Sequence, residues 1–474
     1  MGVMRFRTDP LDPAGPWPQP EGTYLVGFDG RVMATRCDHT ASILECVRPT
    51  SDSGKVRTIW PVEGRGLTSL TTSSLRERDE PYNMAVELAR GTLGELRNQA
   101  AVWMLGGMQI PESYRRAEAE AFGLFSRAAC RQTTDRGEAA RLAQQSIAAA
   151  CRADDELLRS YTSQRLAMRR PGGSLPVVLG CGIQQVPEGR PAEVFDEAFA
   201  AASVAVCWRD VEQSVGTYDW AACDAAVSWA SEHKLLVRGG PLLDFRENGL
   251  PEWLRQWSHD LPSLQSFLCD FVETAVARYR GQVKFWDVAV GSCPGGAFDI
   301  GEEERLALTA RLIEAARRAD DDSHVSLRVD EPWGQYQRHG QHRLTPMQFV
   351  DAIARSNLGL GMLNLQLDLM DETIDDGRRS LSEVSRLIDT WSLHGLPLHV
   401  TVRAEAAGGS DEDAALDRWL KDFLPLLMAK PTVTGVFWTQ YSDQSGSPPA
   451  GVLDVEGQPK NTFQTFRGHR TQQQ

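Results

Sequence analysis

Acidic residues follow or close several short apolar runs in the second half of the chain: Asp244, Asp330, Glu331, Asp368 and Asp443. Carboxyl groups whose pKa values are driven apart by burial and like charge can divide the work of proton donor and base or nucleophile. Asp244, Asp368 and Glu331, with Asp330 beside it, form the candidate catalytic set. Arg403 would pair with one of these acids or hold an anionic ligand group. Six aromatic residues occur near the same run ends, namely Trp208, Phe245, Trp333, Tyr336, Trp438 and Tyr441. A flat ring offers an apolar face on which a ligand can lie, which makes Trp208, Trp333 and Trp438 candidate substrate contacts. The competing expectation is structural: acids paired or solvated, and tryptophans packed into a core. Asp287, inside an apolar run, reads as a buried structural partner.

Other chemistries find little support. The nine histidines show no HxH or HExxH spacing, and His339 and His342 lie in the polar stretch QYQRHGQHR, which reads as solvated rather than metal-binding. There is no glycine-rich phosphate loop and no GxSxG elbow. No metal and no cofactor are expected.

The acids are useful only if a scaffold gathers them. Strand-like runs occur at 176–182, 202–208, 235–238, 283–290, 324–330, 362–369, 397–403 and 434–438, with helical patterns between most of them. Thr345-Pro346 offers an N-cap followed by proline at the first helical position, and Ser380-Leu381-Ser382-Glu383 reads as a capping box. Eight strands alternating with helices predict an α/β protein with a (β/α)8 TIM barrel over residues 171–474. Function in such barrels sits at the C-terminal ends of the strands, where the acids are expected.

Four ordered stretches carry a family resemblance. EQSVGTYDWAACDAAVSWASEHKLLVRGGPLLDFRENGLPEWLRQW at 212–257 resembles the second and third βα units of the xylanase-type glycoside hydrolases of family 10. RYRGQVKFWDVAVGS, GLPLHVTVR and FWTQYSDQSGSPPAGVLDVEGQPKNTF are similar to that family's later motifs, so the likeness runs from about 176 to 466. The resemblance implies β-1,4-xylan hydrolysis with retention, run by two glutamates about 5–5.5 Å apart. It places Gly291 at the acid/base position and Val402 at the nucleophile position, with Val290 before the first. The family's sugar-gripping residues fall at Ser203, Val204, Cys207 and Gly240, and Asp244 stands where it has tryptophan. Its Gln-x-His becomes Gln366-Leu367-Asp368, so Gln366 joins the substrate contacts, and Trp438 remains of the aromatic floor. A small alignment shift could bring in Glu405, three residues past Val402. Two expectations follow: a barrel hydrolysing a β-linked glycan with relocated acids, or a non-catalytic descendant that binds glycan or a protein partner.

Residues 1–80 show alternating runs separated by turn signals. Asp29-Gly30 between apolar stretches predicts a hairpin in a small β-domain, read as a structural cap in preference to a carbohydrate-binding module. Residues 81–170 predict a helical hairpin or three-helix segment, whose apolar stripe would pack within the protein or serve homo-oligomerisation. The formal charge of −14 argues against nucleic acid or an anionic membrane as partner. The start carries no apolar signal region, no run is long enough to span a bilayer, and the nine widely spaced cysteines read as reduced thiols. A cytoplasmic protein is the resulting expectation.

Overall fold

A computed structural model describes residues 1–8, 20–40, 42–169, 176–340, 342–368, 379–403, 410–444 and 449–471. The chain forms two compact units: Met1–Arg169 with Gly334–Gln341 and Met370–Arg386, and Arg170–Trp333 with His342–Leu369 and Leu387–Gln474.

The first unit opens with β1 (Gly2–Arg7), β2 (Tyr24–Gly27), β3 (Val32–Met33), β4 (Arg36–Thr40), β5 (Ile43–Arg48), β6 (Gly54–Val62), β7 (Gly66–Thr71) and β8 (Tyr82–Asn83). These make two four-stranded sheets, ordered β4-β5-β1-β8 and β3-β2-β6-β7. The hairpin at Asp29-Gly30 joins β2 to β3: Gly30 takes a φ of 82°, and the Asp29 carboxylate accepts the Arg31 N–H at 3.1 Å. Three helices follow, α1 (Met84–Leu105), α2 (Glu112–Arg131) and α3 (Arg136–Arg169). Asn83 caps α1 by accepting from the Val86 N–H. Strand β6 is fixed to α3 through Gln144, whose oxygen accepts from Trp60 Nε1 at 2.6 Å while its nitrogen donates to the Pro61 carbonyl at 2.6 Å.

Helix α1 also approaches β7 at a glycine. A Cβ on Gly91 would land on the Thr71 carbonyl oxygen and 2.7 Å from Thr72 Cα, both backbone atoms. Alanine normally stabilises a helix interior by about 1 kcal/mol over glycine. Here the clash reverses the sign: Gly91→Ala is expected to lower the thermal unfolding midpoint, and a raised midpoint would show that helix and strand separate without cost.

The second unit holds β9 (Val178–Ile183), β10 (Ala201–Val204), β11 (Leu236–Gly239), β12 (Leu243–Asp244), β13 (Val283–Asp287), β14 (Ala289–Val290), β15 (His324–Val329), β16 (Met362–Asp368), β17 (Leu398–Arg403) and β18 (Val433–Trp438). Eight of them close a parallel barrel in the order β9-β10-β11-β13-β15-β16-β17-β18, and β12 pairs with β14 as a two-stranded extension. The chain is therefore a (β/α)8 barrel protein with an N-terminal β-rich region. Helices α4 (Arg190–Ala198), α5 (Trp208–Val211), α6 (Ala221–Glu232), α7 (Leu261–Arg278), α8 (Glu302–Ala319), α9 (Pro346–Arg355), α10 (Leu381–Trp391), α11 (Ser410–Ala429) and α12 (Asn461–Thr471) separate or follow the strands. Thr345 and Gln348 complete the capping box of α9. At α10 only half of the expected box forms. The Ser380 hydroxyl accepts from the Glu383 N–H at 3.2 Å, but the Glu383 carboxylate pairs with Arg57 and Arg379, two charges that outbid a backbone amide. Among the described residues no helix is long and apolar enough to cross a membrane.

Parallel strands alternate their side chains, and in this barrel the inward set is partly polar. Asp287 is fully buried, and its carboxylate accepts from Ser326 Oγ at 2.5 Å, Arg328 Nη2 at 2.7 Å and Asn364 Nδ2 at 2.7 Å. Arg238 Nε lies 3.8 Å from the same carboxylate, with its guanidinium over the Phe437 ring. Thr401 donates to Asn364, extending the network to β17. Burial pushes the Asp287 carboxyl up, but the charges of Arg328 and Arg238 and the Ser326 hydrogen bond outweigh it and bring it down to about 2. Burial lowers Arg238 to about 9, and lowers His399, held between Phe285 and Phe437, to about 3.

Candidate active site at the barrel mouth

Beyond β11 and β13 the chain does not turn straight into helices. The short pair β12–β14 continues the strand direction, with the Phe245 N–H donating to the Val290 carbonyl at 2.9 Å. This brings residues 244–246 alongside Gly291. From α8, Arg305 donates to the carbonyls of Ser292, Cys293 and Ile300, fixing the loop that follows Gly291. The loop backbone is thus held by a buried guanidinium.

Arg246 organises the mouth. It folds back on Asp244 with Nε 2.9 Å from Oδ1 and Nη2 2.6 Å from Oδ2, and its backbone N–H also donates to Oδ1 at 2.9 Å. Its Nη1 lies 4.0 Å from Asp330 Oδ2. On the other side of Asp330, the Gly291 N–H donates to Oδ1 at 3.3 Å. On the next two strands, β16 and β17, Arg403 Nε is 3.6 Å from Asp368 Oδ1, and Gln366 Nε2 is 3.4 Å from both Asp368 oxygens. Asp368 contributes to the field that keeps Arg246 charged, after the larger effects of the Asp244 hydrogen bonds and the charge of Asp330. The candidate acids Asp244 and Asp368 therefore belong to one neighbourhood with Gln366 and Arg403.

Of the two neighbouring acids after β15, Asp330 is buried next to both Arg246 and Gly291, and Glu331, one residue further along the chain, is half-buried. Burial pushes the Asp330 carboxyl above the ordinary carboxylate range, and Arg246 offsets only part of that. A carboxyl raised in the folded state contributes stability that is fully present below the unfolded value of about 4 and is lost as pH rises through its folded value. Asp330→Asn is accordingly expected to flatten the fall in thermal midpoint as pH rises through and above the ordinary carboxylate range, with the variant at least as stable as the parent at pH 7. An unchanged slope with a lower midpoint would contradict this placement.

The aromatic candidates divide sharply. Trp208 is not on a strand, because β10 ends at Val204 and Trp208 opens α5. It is fully buried, donates to Glu212 Oε2 at 2.7 Å and stacks on Phe271, which leaves no face for a sugar. Trp438 is also core: its Nε1 donates to the Ala450 carbonyl at 2.7 Å and its ring packs against Phe466. Phe245, Tyr336 and Tyr441 are buried too, so Trp333 alone of the six is partly exposed. Asp443 pairs with Lys460 at 2.5 Å and accepts the Gly451 N–H, a structural role. Glu405 lies outside the described residues.

Gly291 and Val402 complete the picture. Gly291 takes a φ of 70°, and a Cβ built there would lie 2.6 Å from Arg246 Cγ and 2.8 Å from the Arg246 backbone nitrogen. The space a side chain would occupy is filled by Arg246. Val402 is fully buried, between Leu367 on β16 and Trp438 on β18. Sequence reasoning passed over Arg246, although an arginine two residues after a strand-end aspartate, in DFRENG, is the signal that could have found it.

Fold and site together define a (β/α)8 barrel with an acid- and arginine-lined C-terminal mouth. The model of glycosyl hydrolase family 10 matches residues 193–291. Endo-1,4-beta-xylanase 3 of Hypocrea jecorina is 28% identical over 128 residues, which cover 25% of this chain and 35% of that protein. Endo-1,4-beta-xylanase B of Thermotoga neapolitana is 32% identical over 83 residues, covering 17% of this chain and 23% of that protein. The chain thus spans about a third or less of the length of these curated relatives. Among solved structures, native xylanase 10B from Thermotoga maritima superposes with a TM-score of 0.52 at 14% identity, covering 66% of this chain and 98% of that one. A GH10 structure from Paenibacillus barcinonensis gives 0.51 at 16% identity, covering 65% and 97%. The family model and these relatives match part of the barrel, and the solved structures share its fold.

Proposed function

We propose that the barrel binds a β-linked glycan at its C-terminal mouth and does not cleave it by the double displacement of retaining xylanases. The reading is carried by Gly291, where the positive φ and the packed Arg246 leave no room for an acid/base side chain. A buried valine at 402 supplies no nucleophile. Trp333 is the remaining aromatic able to offer a face, and Gln366, Asp368 and Arg403 supply the polar partners that fix a sugar's orientation.

A second reading has its own observation. Asp244 and Asp330 flank one guanidinium, Asp244 as its ion-pair partner and Asp330 with a raised pKa, and such a division suits a base and an acid. One experiment separates the two. The purified protein is titrated calorimetrically with β-1,4-linked xylo- and gluco-oligosaccharides, and the same mixtures are analysed for shorter products. Expected are saturable binding, weakened about tenfold by Trp333→Ala, and no product. Product formation that Asp330→Asn abolishes would replace binding with hydrolysis. Absence of saturable binding to every glycan would defeat both readings.

A further inference from the structure

The N-terminal unit carries a chemistry unrelated to the barrel. In the sheet ordered β4-β5-β1-β8, strand β4 is an edge, and among the described residues its strand partner is β5. Cys37 on β4 stands directly opposite Cys46 on β5, and their sulfurs are 3.2 Å apart, with the Cys37 thiol donating to Cys46 Sγ. Opposed residues of an antiparallel pair have Cα atoms about 4.5–5.5 Å apart, within the range a disulfide spans. Both cysteines are present as free thiols.

We propose that Cys37 and Cys46 are a thiol modification site that a low-molecular-weight disulfide, such as oxidised glutathione, converts into a cross-strand disulfide. Cys37, half-buried on the edge strand, takes the first step, because Cys46 is fully buried behind it. Its close pairing with Cys37, together with burial, also pushes the Cys46 thiol up, which disfavours it as the first attacking thiolate. The Cys37 thiolate attacks one sulfur of oxidised glutathione; the glutathione S–S bond breaks, and one glutathione leaves as a thiolate that takes up a proton. Cys46 then gives its proton to solvent and attacks Cys37 Sγ, expelling the second glutathione thiolate, which is protonated in turn. Two protein thiols are oxidised by two electrons, and one small disulfide is reduced to two thiols. The product covalently ties the edge strand to its neighbour, and dithiothreitol reverses it.

The test incubates the reduced full-length protein with oxidised glutathione, blocks remaining thiols by alkylation, and maps peptides by mass spectrometry. Cys130, exposed on α2, should carry a glutathione adduct and serves as the internal control for reagent activity. The expected result is a peptide pair joined through Cys37 and Cys46, lighter by two hydrogens than the reduced pair. Hydrogen exchange at β4 amides should slow, on the order of tenfold, in the oxidised protein. Cys46→Ala is expected to leave glutathione stably attached to Cys37. Glutathione persisting on Cys37 in the parent protein, or full alkylation of both cysteines while Cys130 is modified, would overturn the proposal. The peptide map of the parent protein decides the matter even if the variant fails to fold.

Discussion

Asp287→Ala is expected to destabilise the barrel by about 3–5 kcal/mol, the cost of removing one member of a buried charge group while its partners remain. Asp287 is the acceptor shared by Ser326, Arg328 and Asn364, and it is also the carboxylate nearest buried Arg238. Without it, the charge of Arg328 acts on Arg238 with no carboxylate to offset it, and Arg238 is already lowered to about 9 by burial. In thermal unfolding the loss should read as a drop of about 10 °C in the midpoint of the barrel transition. The pH dependence has a defined sign. The Asp287 carboxyl is lowered to about 2 in the fold, so its contribution is present above the unfolded value of about 4 and vanishes as pH falls towards 2. The gap between parent and variant should therefore narrow in acid. A gap that stays constant from pH 7 to pH 3 would show that Asp287 acts through packing alone.

The second large effect concerns the mouth. Introducing glutamates by Gly291→Glu with Val402→Glu should not create a xylanase. At Gly291 the substitution pays the cost of a positive φ, about 1–3 kcal/mol, and must also displace Arg246, whose Cγ and backbone nitrogen occupy the Cβ position. At Val402 it buries a carboxylate in an apolar slot between Leu367 and Trp438. Expected are a thermal midpoint well below the parent's and no release of reducing sugar from xylan. Measurable xylan hydrolysis by this variant would mean that the mouth still holds the family's catalytic geometry and lacks only the acids.

How far the sequence revealed this arrangement depends on the signal involved. Alternation of apolar runs with capped helices was enough to number the eight strands, because β propensity, turn residues and N-caps such as Thr345 act locally. Asp244, Gln366, Asp368 and Arg403 could be nominated together because strand ends fix where a side chain emerges. The tryptophans were less legible. A rim tryptophan and a core tryptophan have the same local sequence, and only the partners of Trp208 and Trp438, Glu212 with Phe271 and Ala450 with Phe466, show them to be core. The choice between Asp330 and Glu331 turned on how β15 ends, which a run of apolar residues does not fix to within one position. Arg246 was missed for a related reason: its role depends on the β12–β14 extension, a two-residue pairing formed between distant segments.

No covalent glycosyl-enzyme is expected to form at this mouth, because Arg246 packs where a side chain at Gly291 would lie and residue 402 is a buried valine. The direct measurement is the intact mass of the protein after prolonged incubation with a 2-deoxy-2-fluoro β-xylobioside bearing a good leaving group, a reagent that traps the intermediate of retaining enzymes. The mass is predicted to be unchanged while the unmodified oligosaccharide still binds. A stoichiometric increase equal to one fluorinated disaccharide, mapped to a carboxylate of the barrel, would show that a covalent glycosyl-enzyme does form.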